Sequence, residues 1–422
     1  MKQITKRIGL FARIGLFGIL LFTQTMLAQN LDFSGYVRNY SGMLIGNGST
    51  DFVILQNTFN LNFEKRLDNA AFKVNPLIYH NYADSIIFQM REAYLDLYFD
   101  NFDLRVGKQQ IVWGKADGVF ITDIVSPKNL YEFLLPEFDE IRMGVIGAKF
   151  DYYIGNNTLE IVWLPVFTPT KYPNQNSVWS IKPNFPVQPI FNYSKQKVSS
   201  SLKNSEIFLK YSALTEYVDF EIMGGYMWDD DPTLYSSFTP NGSGGMNLNI
   251  TPEYKRLSLV GGSFSSTLGP FVFRGEAAYY FGKYFNTITP QINSGLVQKD
   301  YLHFMLGTDF NLFGINLSMQ FIQKAIIDYE TTIKPNPFFK DQYNNMATLL
   351  ARYSTLNETL DFEFFMYYDF EYDDALLRPR ILYDFSDSIN LQFGANIFTG
   401  TKGQFGQFNK NDMVYGKIIY SF

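Results

Sequence analysis

Cysteine is absent from the 422 residues, so the chain has no disulfide and no thiolate metal site. Histidine is nearly absent. His80 and His303 are the only two, too few for an imidazole-based metal site. Basic residues are in the minority, with 35 Lys+Arg against 41 Asp+Glu, which argues against nucleic acid as a partner. Long apolar runs are missing as well. After residue 28 nothing approaches the roughly 18 consecutive apolar residues of a membrane helix. What the chain has in excess is aromatic. Phe and Tyr number 42 and 29, and aromatics make up 18% of residues. A soluble core rarely needs so much tyrosine, whereas a lipid-facing barrel with aromatic girdles at both interfaces does.

The first 28 residues read as a secretory signal peptide. Lys2, Lys6, Arg7 and Arg13 make a basic start, residues 14–22 an apolar run, and Met26-Leu27-Ala28 a cleavage site before Gln29. The run is too short for a membrane anchor and has no charged stop behind it. Removal of 1–28 takes away four basic residues and no acidic ones, leaving 31 against 41, a net charge of −10. An exported chain without a membrane helix is either soluble or a β-barrel.

Strand-length segments fill residues 29–422, expected as one domain. They fall at 32–45, 53–65, 71–79, 87–99, 102–112, 143–153, 158–165, 203–214, 217–228 and 252–266. They continue at 270–282, 301–312, 314–325, 345–355, 359–370, 378–385, 389–399 and 413–422. Many alternate in polarity, as a wall with lipid on one side and water on the other requires. Phe59, Leu61 and Phe63 oppose Asn60, Asn62 and Glu64, for example. Connections alternate in length. Asp100-Asn101, Thr215-Glu216 and Asn357-Glu358 are turns of two residues, while 113–142, 166–202, 229–249, 283–300 and 326–344 are long. Short turns on one rim and long loops on the other is the outer-membrane pattern, and a soluble sandwich or propeller gives no reason for it. The last strand ends on aromatic Phe422, in phase with Tyr420, Ile418 and Val414. The expected fold is all-β: a transmembrane antiparallel up-and-down β-barrel of 16 to 18 strands, with 18 segments counted, in the cell outer membrane.

The connection after the fifth strand stands out. Residues 104–142 begin as a strand, break at Trp113-Gly114, and continue acidic and aromatic together. Ser126-Pro127 is expected to cap a short helix over 129–135 that Pro136 stops. The connection is too long for a hairpin loop and too apolar to be disordered. It is expected to fold into the barrel mouth and narrow it. Lys115, Asp117, Asp123, Glu132, Glu137, Asp139, Glu140 and Arg142 would then form an acidic constriction. Phe120, Tyr131, Phe133 and Phe138 would pin the segment to the wall or touch the solute, and pinning is the reading favoured by the usual role of buried aromatics.

Within this piece Gly107-Lys108-Gln109, Trp113-Gly114, Ser126-Pro127 and Glu140-Ile141-Arg142 resemble the signature of porin-like outer-membrane barrels of Gram-negative bacteria. These are similar in architecture to alginate-export and substrate-specific porin barrels. The resemblance implies a barrel and a pore, not a substrate.

On the phase opposite to lipid lie Glu64, Glu92, Asp96, Arg105, Glu206, Lys210, Asp219, Glu221, Arg274, Glu276, Asp309, Arg352, Glu363, Arg378, Arg380 and Lys417. Such a lining either tunes ion selectivity or merely holds the wall through ion pairs. Asp229-Asp230-Asp231 lacks the spaced ligands of a calcium site and reads as a solvated loop tip. With no metal site, no cofactor motif and no serine elbow, an enzyme is not expected. The expected function is a channel passing a small solute by diffusion. The rivals are an export duct for a polysaccharide or lipid working with an envelope partner, and a non-conducting barrel that binds a surface ligand.

Overall fold

The computed structural model describes residues 32–46, 51–81, 86–181, 187–242, 244–287 and 294–422. The segment expected as a signal peptide lies outside them. The wall opens with β1 (Asp32–Leu44), β2 (Phe52–Leu67), β3 (Ala70–Asn81), β4 (Ile86–Tyr98) and β5 (Phe102–Gln109). After the long connection come β6 (Val145–Ile154) and β7 (Asn157–Leu164). A short strand outside the wall, β8 (Pro189–Phe191), precedes β9 (Glu206–Leu214) and β10 (Asp219–Trp228). A second excursion carries β11 (Thr233–Pro240) and β12 (Met246–Glu253). The wall resumes with β13 (Arg256–Leu268), β14 (Phe271–Asn286), β15 (Leu296–Leu312), β16 (Ile315–Ile326) and β17 (Tyr343–Thr355). It ends with β18 (Leu360–Asp369), β19 (Asp374–Ser386), β20 (Ile389–Thr399) and β21 (Met413–Ser421).

Eighteen of these strands form one sheet, each antiparallel to its neighbours. The sheet closes where β21 pairs β1, from Tyr36 opposite Ser421 to Leu44 opposite Met413. Closure joins the last strand to the first, so most backbone donors of the wall are paired from strand to strand, as lipid requires. The sequence alternation survives in the register. Val37, Phe59, Leu95, Ile222, Leu306 and Ile418 are exposed on the outside, while their neighbours Arg38, Asn60, Asp96, Met223, Met305 and Lys417 are buried inside. Pro76 lacks a donor, and the β3–β4 register shifts between Asn75 and Pro76. The 18 wall strands correspond one for one to the 18 expected segments, with ends displaced by a few residues.

One expectation fails. Residues 129–135 form no helix. They make a turn in which Phe133 holds φ +55°, a left-handed conformation that an α-helix cannot contain. The Ser126 hydroxyl accepts from the Ile111 amide at 2.9 Å instead of capping. The only helical turn of the connection is Phe138–Ile141, beyond Pro136. The long connection at 229–249 carries strands of its own. β11 pairs antiparallel with β12, and β12 pairs parallel with β8, so two long connections share a three-stranded sheet above the wall. β11 and β12 form a local hairpin, and only β8 comes from a separate stretch, so no local pattern announces the third strand.

Candidate functional site

After β5 the chain leaves the wall and enters the lumen. Trp113 is buried, and its indole N–H donates to Glu160 Oε1 of β7 at 2.6 Å. The chain then reaches the far wall. Glu276 of β14 accepts from the Lys115 amide, and its other oxygen accepts from the Thr122 amide at 3.1 Å and the Thr122 hydroxyl at 2.7 Å. Arg274 of the same strand donates to the Lys115 carbonyl at 2.7 Å and to Asp117 at 2.6 Å. Ser318 and Gln320 of β16 also donate to Asp117, at 3.1 and 3.2 Å. The Tyr367 hydroxyl of β18 donates to the Gly118 carbonyl at 2.8 Å. Returning, the chain passes β19, where Arg378 donates to the carbonyls of Leu134 and Leu135 at 3.0 and 2.7 Å. It passes β1, where Arg38 donates to Glu140 at 2.7 Å. The segment therefore spans the lumen from wall to wall.

Two glycines show why the sequence takes this path. Gly107 holds φ +137°, and a Cβ there would lie 2.3 Å from the Ala93 carbonyl oxygen. Gly118 holds φ +84°, and a Cβ would lie 2.5 Å from Phe365. Only glycine fits such close approaches. Apolar side chains fix the rest. Ile121, Phe133, Leu134, Leu135 and Ile141 are buried against Tyr40, Ile54, Met305 and Leu376 of the wall. Phe133 packs on Phe398, Phe405 and Phe408, with centroids 6.4, 6.2 and 5.0 Å away. Phe120 lies against Phe138 at 5.5 Å, and Tyr131 accepts a hydrogen bond from Asn174 at 2.9 Å.

The charged residues singled out from sequence come together here, but mostly in pairs. Asp117 meets Arg274, Asp123 meets Arg142, and Asp139 stands 3.5 Å from Arg91. Glu137 takes Arg380 at 2.8 Å and Lys417 at 3.1 Å, and Arg380 also holds Glu363 at 2.7 Å. Lys115 lies 3.7 Å from Glu221. Other lining residues pair within the wall: Asp96 with Arg105 at 2.6 Å, and Arg352 with Asp361. Glu92 bonds Lys73 at 2.8 Å and accepts from the Gln110 amide at 3.0 Å. Arg378 donates to two backbone carbonyls and to Asn396, and no carboxylate pairs with it among the described residues. Sequence reasoning missed Arg38, Arg91 and Lys171. The alternation of Arg38 with exposed Val37 is the signal that places it inward.

Two cavities flank the stretch from Pro136 to Arg142, and both residues line each of them. One, of about 360 Å³, has Lys115, Arg142, Arg378 and Arg380 against Asp117, Glu137 and Glu363. The other, of about 530 Å³, has Arg38, Arg91, Arg142 and Lys171 against Glu132 and Glu140. Glu132 forms no ion pair among the described residues. Burial raises its carboxyl to about 7, with the Glu140 charge adding to the effect and Arg38 and Lys417 opposing it. Glu137 behaves oppositely. Burial disfavours its charge, but Lys417, Arg380 and Arg378 outweigh burial and hold it at about 2.

His303 is buried on the inner face of β15, opposite Lys324 in the register. Asp229 is not at a solvated tip: it is buried and bonded to Lys283 at 2.5 Å, while the Tyr172 hydroxyl donates to Asp231. No cluster of metal-ligating residues occurs among the described residues.

A family described as "Protein of unknown function (DUF1302)" is matched by residues 20–422. No curated protein sequence matches the chain. Among solved structures it is similar to Pseudomonas aeruginosa OccK2 (OpdF) in complex with glucuronate, with TM-score 0.54 and 10% identity. That match covers 93% of this chain and 98% of the other. It is similar also to Acinetobacter baumannii OccAB4, with TM-score 0.56 and 10% identity over 93% and 98% of the two chains. A third is Acinetobacter baumannii OccAB2, with TM-score 0.55 and 11% identity over the same shares. At such identities the shared property is the fold, a closed antiparallel β-barrel.

Proposed function

The chain belongs to the family described as "Protein of unknown function (DUF1302)", and from that premise and its closed barrel we propose a porin-like channel of the outer membrane. It passes a small solute by diffusion, with residues 104–142 as the constriction. The observation that carries this reading is the segment held across the lumen, with cavities of about 360 and 530 Å³ flanking Pro136 and Arg142. A diffusion pore needs both a continuous wet wall and a narrow place where side chains meet the solute.

The pairings change what the constriction does. Most of its carboxylates are matched by wall cations, so the lining is mixed instead of acidic. In each cavity the basic side chains outnumber the acidic ones, and Arg378 forms no ion pair among the described residues. A small organic anion fits this field better than a cation. A sugar acid, the class bound by the solved neighbour in complex with glucuronate, is the natural first solute to test.

Planar-bilayer recording tests the proposal. The expected result is steady ohmic openings and a reversal potential of anion-preferring sign in a salt gradient. Glucuronate added to one side is expected to reduce the current. A barrel that conducts only after residues 117–140 are deleted points instead to a gated duct or a surface binder.

A further inference from the structure

The rim of short turns has a property that solute passage does not need. Each of the eight connections carries a large apolar residue exposed in or beside its turn. In strand order these are Leu67, Phe99, Ile154, Tyr217, Leu268, Phe313, Leu356 and Phe385. Three are extreme: Phe313 is 93% exposed, Tyr217 75% and Leu268 70%. Turn tips in water favour Asn, Asp and Gly.

Two of these residues also sit where the backbone disfavours them. Phe313 holds φ +53° in the two-residue turn Phe313-Gly314, and Leu356 holds φ +52°. Such a turn needs left-handed backbone at its first position, which suits Asn or Gly. A bulky side chain there is strained and, in water, also leaves its apolar surface wet. An apolar environment removes the second penalty.

Height gives an independent argument. The lipid-facing aromatics Phe88, Tyr226, Phe281 and Phe370 are exposed near the upper ends of β4, β10 and β14 and just past β18. From the short turns to these rings is about ten residues, the length with which a tilted strand crosses the hydrocarbon layer. The apolar belt is thus used up between the upper rings and the turns. The turns also carry polar neighbours, including Asp68, Asp100, Glu216, Glu358 and Asp387, which belong in a headgroup layer and not in hydrocarbon.

We propose that the short-turn rim is seated in the membrane interface, its apolar residues buried among lipid acyl chains of the periplasmic leaflet. The rim then has no part that stands free in the periplasm. The occupant is lipid, because the ring is continuous with the lipid-facing belt through Phe271, Leu312 and Phe422.

The absence of cysteine makes the test direct. Nitroxides are attached to the single variants Tyr217→Cys, Leu268→Cys and Phe313→Cys, in vesicles of phosphatidylethanolamine and phosphatidylglycerol. Accessibility to oxygen, which concentrates in lipid, is compared with accessibility to a water-soluble nickel chelate. Met319→Cys on the belt and Lys402→Cys on the long-loop rim are the references. Turn labels that report like Met319→Cys support the proposal. Labels that report like Lys402→Cys overturn it, because the rim then stands in water. Labels shielded from both reagents overturn it too, because a protein and not lipid covers the rim. All five positions are exposed, so folding is not at stake.

Discussion

Single residues decide how the proposed constriction is charged and held. Glu132 has its carboxyl raised to about 7, so it is neutral below that pH and negative above it. Lowering the pH from about 8 to about 6, a unit either side of that value, removes one negative charge from the larger cavity. Anion preference should therefore rise as pH falls, and Glu132→Gln should hold it at the low-pH value throughout. Reversal potentials at the two pH values check this. The same pH response in both proteins would count against Glu132 as its source. Glu276 is the principal clamp on the far wall. Glu276→Ala leaves the amides of Lys115 and Thr122 without their partner, at about 1–3 kcal/mol for each buried donor. The expected result is noisier single-channel current in a barrel that still folds. Which residues line the inside was legible from strict alternation. Which of them pair was not: Asp117 meets Arg274 and Glu137 meets Lys417 only because the segment crosses the lumen, and sequence spacing holds no trace of that.

At the scale of elements, the strands were legible and the interior was not. Period-two patterns and turn chemistry place a wall strand wherever lipid enforces the alternation. Inside the lumen that rule lapses, and packing against distant wall residues takes over. That is why residues 129–135 were expected as a helix from Ser126-Pro127 and became a turn around left-handed Phe133. The sheet of β8, β11 and β12 lies above the wall, where lipid enforces no alternation and β8 joins it from a distant stretch. The segment is attached to the wall by side chains and backbone contacts, and the wall strands pair with one another without it. Deleting residues 117–140 should therefore leave the barrel folded and raise its unit conductance several-fold. Heat-dependent electrophoretic mobility reports the folding and bilayer recording the conductance. Loss of the folded form would mean that the segment is part of the barrel's core.

The whole molecule is a ring closed by its first and last strands. Phe422 packs beside that seam, with Phe33 at 5.5 Å and Phe59 at 6.3 Å. Phe422→Ala should lower the yield of assembled barrel, seen as a smaller heat-modifiable fraction, and leave the conductance of the assembled fraction unchanged. The contacts that hold the inner segment span long stretches of chain. Leu134 and Arg378 are 244 residues apart, and Glu137 and Lys417 are 280 apart. The partners on β19 and β21 are made last, so a chain halted before them carries its inner segment unanchored, with carboxylates that have no cations to meet. The wall can close without the inner segment, but the segment can reach its final place only once the wall is complete.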